Sequence, residues 1–132
     1  MIENLSVLLG LLSLSNPQRR PSPTDTIVIT FRSMDEPDTI LGGARIPVTK
    51  ARFPLAFRMF PKNVIKDKMD AWQAAKQGDL LVQAVVCPED MPKCTMEDGG
   101  QMGARGVAKL IRNLPGQLKD QPIRAPATLP LQ

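Results

Sequence analysis

Thirteen of the 132 residues are proline, and their placement decides which parts of the chain can enter regular structure. Proline has no N–H to give to a ladder and cannot sit inside a helix, so it is confined to loops, strand edges and extended arms. Pro17, Pro21 and Pro23 fall together in Asn16–Thr24, while Pro115, Pro122, Pro126 and Pro130 punctuate residues 115–132. Both stretches read as extended, polyproline-like chain and not as core. They divide the sequence into an apolar segment with a proline-rich linker (residues 1–24), a β-rich domain (25–112) and a proline-rich C-terminal arm (113–132). The length supports one hydrophobic core, not two.

Between the proline-rich stretches the hydrophobic pattern has a period of two. In Thr26–Arg32, Ile27, Ile29 and Phe31 point one way and Thr26, Thr30 and Arg32 the other, with Val28 the exception. After a turn at Asp35–Asp38, Ile40–Val48 reads as a second strand, with Gly42-Gly43 as a bulge or bend. Phe53–Phe60 reads as a third, with Phe53, Leu55, Phe57 and Met59 inward and Pro54 marking an edge or a start. The period then changes: Ile65, Met69, Trp72 and Ala75 predict one amphipathic helix over 64–77, with Asn63 as its cap and Gly78 as its stop. Asp79–Cys87 is almost continuously apolar and reads as a central strand. Gly103–Gly106 reads as flexible backbone, and Val107–Ile111 as a fifth short strand or a helical turn. The expected fold is mainly β: a small antiparallel sheet or sandwich of about five strands, with one short helix and long proline-rich terminal arms.

Segment Ile2–Leu14 is strongly apolar. It is shorter than the roughly 20 residues a membrane-spanning helix needs, and it lacks the basic start of a complete signal peptide, although a processed remnant would look like this. Wound as a helix, it places Ile2, Leu5, Leu9 and Leu12 in one stripe, widened by Val7, Leu8 and Leu11. Two readings stay open: a helix of the domain's own core, or a docking helix that buries its leucines on another subunit or at a membrane surface.

Residue types missing from the chain bound its chemistry. There is no histidine and no tyrosine, so no Ser-His-Asp or Cys-His constellation exists, and the expectation is a protein that is not an enzyme and carries no cofactor or metal. Glu97-Asp98-Gly99-Gly100 lacks the alternating oxygen ligands of a calcium loop and reads as a turn. Met91, Met96 and Met102, near the cysteines, read as adaptable interface packing. The two cysteines, Cys87 and Cys94, have the wrong spacing for a CxxC redox centre. A disulfide closing a small loop and a pair of free thiols both remain open; the disulfide would imply an oxidising compartment such as a periplasm or a thylakoid lumen.

The net charge is +4, spread along the chain with Arg19-Arg20 as its only adjacent pair. With only Phe31, Phe53, Phe57, Phe60 and Trp72 as aromatics, there is no stacking platform for nucleic acid. An acidic protein surface is the expected partner. The candidate contact residues are Leu5, Leu8, Leu9 and Leu12 for docking, and Arg19, Arg20, Arg105 and Arg112 for the acidic surface.

The strand Ile27–Arg32, the run Pro54-Leu55-Ala56-Phe57 and the strand Leu81–Val86 together resemble the small β-sandwich at the C-terminal end of the cytochrome c biogenesis factor that holds apocytochrome for haem ligation. The similarity spans residues 25–112. The helical repeats that accompany that module and its haem-handling CxxCH motif are absent, and the cysteine pair is not part of its pattern. The resemblance implies a β-sandwich and, with it, a peptide-binding module in cytochrome c maturation. The overall layout, a small basic β-module with proline-rich arms, is similar to the accessory subunits of algal, diatom-type photosystem I. That likeness implies a pigment-free subunit docked on a larger membrane-embedded complex, peripheral to a plastid thylakoid membrane; the alternative compartment is a periplasm.

Overall fold

In the computed structural model, residues 8–75, 78–95, 97–108, 123–124 and 129–131 are described. The protein is mainly β, with one short helix. In chain order the elements are β1 (Leu8–Leu14), β2 (Thr26–Ser33), β3 (Ile40–Pro47), β4 (Leu55–Met59), α1 (Met69–Ala75), β5 (Leu80–Cys87), β6 (Met102–Ala108), β7 (Ile123–Arg124) and β8 (Leu129–Leu131).

The first sheet is antiparallel throughout, in the order β3-β2-β5-β6. The alternation in β2 sets its two faces. Ile27, Ile29 and Phe31 are fully buried; opposite them across the β5 pairing lie Val86, Ala84 and Val82, also buried. β5 is central, as its apolar run predicts. The register between β2 and β3 shifts after Phe31, which faces Gly42 while Arg32 faces Ile40. Leu41 is the extra residue of this bulge, beside the glycine pair that signals it.

The second sheet is built around β1. β4 pairs with β1 antiparallel, from Leu8↔Met59 to Leu12↔Leu55. β7 and β8 each pair with β1 in parallel, at Leu8↔Ile123 and Leu12↔Leu129. Leu8, Leu12, Phe57 and Met59 from this sheet meet Ile27, Ile29, Phe31 and Val82 from the first in one sandwich-like core. Burying a leucine or isoleucine side chain of this kind contributes roughly 1.5–3 kcal/mol. Two cross-strand pairs join a phenylalanine to a glycine, Phe57 to Gly10 and Phe31 to Gly42. In each the ring lies where a Cβ on the glycine would stand, so neither position accepts a side chain without moving the ring.

α1 closes one side of the core. Trp72 is buried, and its ring meets that of Phe31 edge to face, with centroids 5.3 Å apart and planes at 70°, a favoured aromatic geometry.

Several expectations change. Segment 8–14 is a strand, not a helix, and its Leu8 and Leu12 pack in the same core cluster as the strands that follow. Leu8 and Leu12 are fully buried there and are unavailable for docking elsewhere. Within the expected C-terminal arm, residues 123–124 and 129–131 pair with β1, and the rest of it lies outside the described residues. The helix is shorter than 64–77: residues 66–68 form a 3-10 turn, and only 69–75 is α-helical. Ile65 lies outside it and is 43% exposed; Asn63 does not cap it, although Gly78 does close it, its N–H donating to the Ala75 carbonyl at 3.0 Å. Gly103–Gly106 is not loose backbone but lies within β6, paired to β5.

The core role of β1 is checked by two neighbouring truncations. Leu12→Ala is expected to lower the unfolding free energy by about 2–5 kcal/mol in urea titration. Leu11→Ala, at a side chain 43% exposed, should change it by no more than about 0.5 kcal/mol.

Candidate functional site

With the inner face of the first sheet filled, its outer face carries the chemistry. Strand alternation sends Val28, Thr30 and Arg32 of β2 outward. Register brings Arg32 beside Ile40 and Leu81, Thr30 beside Gln83, Gln83 beside Arg105, and Val28 beside Arg45 and Val85. Three arginines from three strands therefore share one surface. β2, β3, β5 and β6 contain no aspartate or glutamate, so no carboxylate on these strands offsets them. Arg32 donates from Nη1 to the Pro37 carbonyl at 2.9 Å, while its buried Nε has no partner. Arg45 and Arg105 are exposed. No aromatic side chain joins them: Phe31, the only aromatic residue in these strands, faces the core.

One part of this face is covered. Cys87 and Cys94 form a disulfide with Cα atoms 5.5 Å apart, which commits both thiols. The bridge folds the loop after β5 back over the sheet, and Val85, Cys87 and Cys94 make a second small buried cluster with Val28 against it. This is why β5 is apolar on both faces: its outer end has a cover of its own. The loop is held further on, where the Gly100 N–H donates to the Thr95 carbonyl at 2.8 Å and the Gln101 N–H to the Val86 carbonyl at 3.0 Å.

Beside the covered part an open groove of ≈ 840 Å³ runs along β2 and β3. One wall is segment 61–66, docked on the edge of β3: Val64 bridges Gly42, the Ile65 N–H donates to the Leu41 carbonyl at 2.8 Å, and Asn63 Nδ2 donates to the Gly43 carbonyl at 3.3 Å. Asn63 Oδ1 accepts from the Phe60 N–H at 2.8 Å, so this side chain ties the wall to the strand. Lys62 and Lys66 project from the wall, Lys93 comes from the disulfide loop and Arg45 from the floor, with Ile40 and Ile65 as large apolar neighbours. No acidic residue lines it.

The residues picked out by sequence scatter over the molecule. Leu8 and Leu12 are in the core; Leu9 is half-buried on the outer face of β1; Leu5 and Arg112 lie outside the described residues. Arg19 and Arg20 are exposed, and Arg19 Nη2 donates to the Gln101 carbonyl at 2.9 Å, which ties the proline-rich linker to the chain just before β6. Of the described candidate cations only Arg105 lies on a strand of the arginine-bearing face. Arg32, Arg45, Lys62, Lys66 and Lys93 were not singled out by sequence. Strand parity was the available signal for the two arginines, since both occupy outward positions. Among the described residues no helix is long and apolar enough to cross a membrane. Comparison with protein-family models, curated proteins and solved structures gives no match.

The disulfide closes a short loop, for which chain entropy gives a stabilisation of about 2–3 kcal/mol. A Cys87→Ala/Cys94→Ala variant is expected to lose roughly that amount in denaturant titration. Adding a reductant should produce a similar loss in the native chain and none in the variant.

Proposed function

We propose that this chain is a non-catalytic binding module that acts as an accessory or assembly subunit, holding the acidic surface of a larger protein partner. The outer face of the first sheet, with three arginines on strands that contain no carboxylate, carries this reading. Cations that share one face, on strands that carry no carboxylate, favour an anionic partner and speed its encounter. The lack of an aromatic platform on that face favours protein over single-stranded nucleic acid. A sequence without histidine or tyrosine supports binding over catalysis.

The two family resemblances give this activity its settings. One is a peripheral position on a photosystem I-type complex at a thylakoid membrane; the other is the holding of apocytochrome in cytochrome c maturation. In both, the module binds protein without transforming a substrate. The burial of Leu8 and Leu12 moves the proposed contact from the N-terminal leucines to the sheet face.

Native gel electrophoresis of the endogenous protein tests the proposal. The wild-type chain is expected in a species far heavier than itself. Arg45→Glu/Arg105→Glu should release it into the free pool while leaving its thermal midpoint near that of the wild type, both side chains being exposed. A wild-type chain running at its own mass, or a double variant that stays with the heavy species, overturns the reading.

A further inference from the structure

We infer that the groove beside β3 is a seat for one extended peptide segment in which acidic and apolar side chains alternate. This rests on the reading of the chain as a protein-binding module and names what the module grips. Three observations carry it.

The first is charge. Lys62, Lys66, Lys93 and Arg45 line the groove with no carboxylate among them. Four cations from three separate parts of the chain face one space, so a bound segment meets a positive charge on each side. The second is apolar surface. Ile40 is 39% and Ile65 43% exposed, and both border the same space. A ligand with carboxylates alone would leave them in water; one with interleaved apolar side chains would cover them.

The third is an unpaired length of sheet edge. β3 pairs with β2 on one side only. On its other side, segment 61–65 takes the outward positions at Leu41 and Gly43 and goes no further. Antiparallel pairing directs the backbone of alternate residues outward, which makes Arg45 the next such position. Among the described residues no strand or segment pairs with it there. No described residue takes its outward N–H or C=O, and an incoming backbone can bond there, the mode by which extended peptides add to a sheet edge. A free phosphate or a lipid headgroup supplies charge but no peptide backbone, so the edge favours a peptide over either.

Fluorescence anisotropy with the purified full chain tests the assignment. The probe is a labelled synthetic peptide of alternating glutamate and leucine. It is expected to bind in a salt-dependent way and more tightly than a peptide of the same composition with its glutamates and leucines in separate blocks. An alternating lysine–leucine peptide should not bind. Lys62→Glu/Lys66→Glu should weaken binding by about tenfold or more, as charge reversal at a steering site does. Arg45→Ala removes the charge alone, whereas Arg45→Pro also removes the outward N–H; the proline variant should bind more weakly than the alanine variant. Thermal midpoints near wild type confirm that these exposed positions leave the fold intact. Equal binding of the block peptide, equal competition by phosphate or by phosphatidylglycerol vesicles, or binding unmoved by Lys62→Glu/Lys66→Glu overturns the inference. If Arg45→Glu/Arg105→Glu empties the heavy native species while the lysine variant neither does so nor alters peptide binding, the groove assignment fails and the wider binding reading stands. If the peptide binds as expected but the native chain runs alone, the opposite holds.

Discussion

The second sheet depends on one strand. Among the described residues β4, β7 and β8 have no sheet partner besides β1, and β1 places Leu8 and Leu12 in the core. Pairing and packing are thus the same event: the leucines hold β1 over the first sheet, and β1 holds the other strands of the second sheet there. Gly10 contributes by having no side chain, since the Phe57 ring fills that space. An oily segment at one end of a sequence suggests attachment to something outside the molecule. Here the inward side chains of its described part, Leu8 and Leu12, are the lid on the protein's own core, while Leu9 and Leu11 lie on the other face of that strand.

Once that lid is in place, the first sheet has a dry face and a wet one. The dry face takes the alternate apolar residues of all four strands. The wet face is left to whatever lies between them, and in this chain that includes arginine but no acidic residue. The disulfide loop takes one end of the wet face for a small apolar cluster of its own, and the arginines of β2, β3 and β6 occupy the rest, with the lysines of segment 61–66 beside β3. The binding reading follows from this division and not from any single motif.

Legibility in the sequence tracks how many structures a pattern allows. β2 was readable because one buried face and one wet face impose strict alternation. β5 is readable because its inner face and the outer end at Val85 and Cys87 are both covered. β1 was not: a leucine run satisfies helical and strand spacing alike, and periodicity cannot decide between them. Gly10 was the overlooked hint, because glycine in a helix interior costs about 1 kcal/mol relative to alanine. The helical spacing reaches back past the true start because Ile65 and Met69 fit it, although Ile65 lies before the helix and both are exposed. The charge distribution misled most. Arg32, Arg45 and Arg105 are dispersed in sequence, and only the order β3-β2-β5-β6 brings them to one face. Parity could have placed each side chain outward; strand order, which no local pattern encodes, was needed to make them neighbours.

The parallel pairing of β1 with β7 and β8 also bears on how the protein is born. On a ribosome β1 emerges long before the strands that flank it on that side, and its antiparallel partner β4 comes only after β2 and β3. Until then a leucine-rich β-former travels without its neighbours. Pairings so remote along the chain close slowly and leave sticky edges bare in the meantime. During synthesis this strand is therefore the segment that most needs shelter from aggregation.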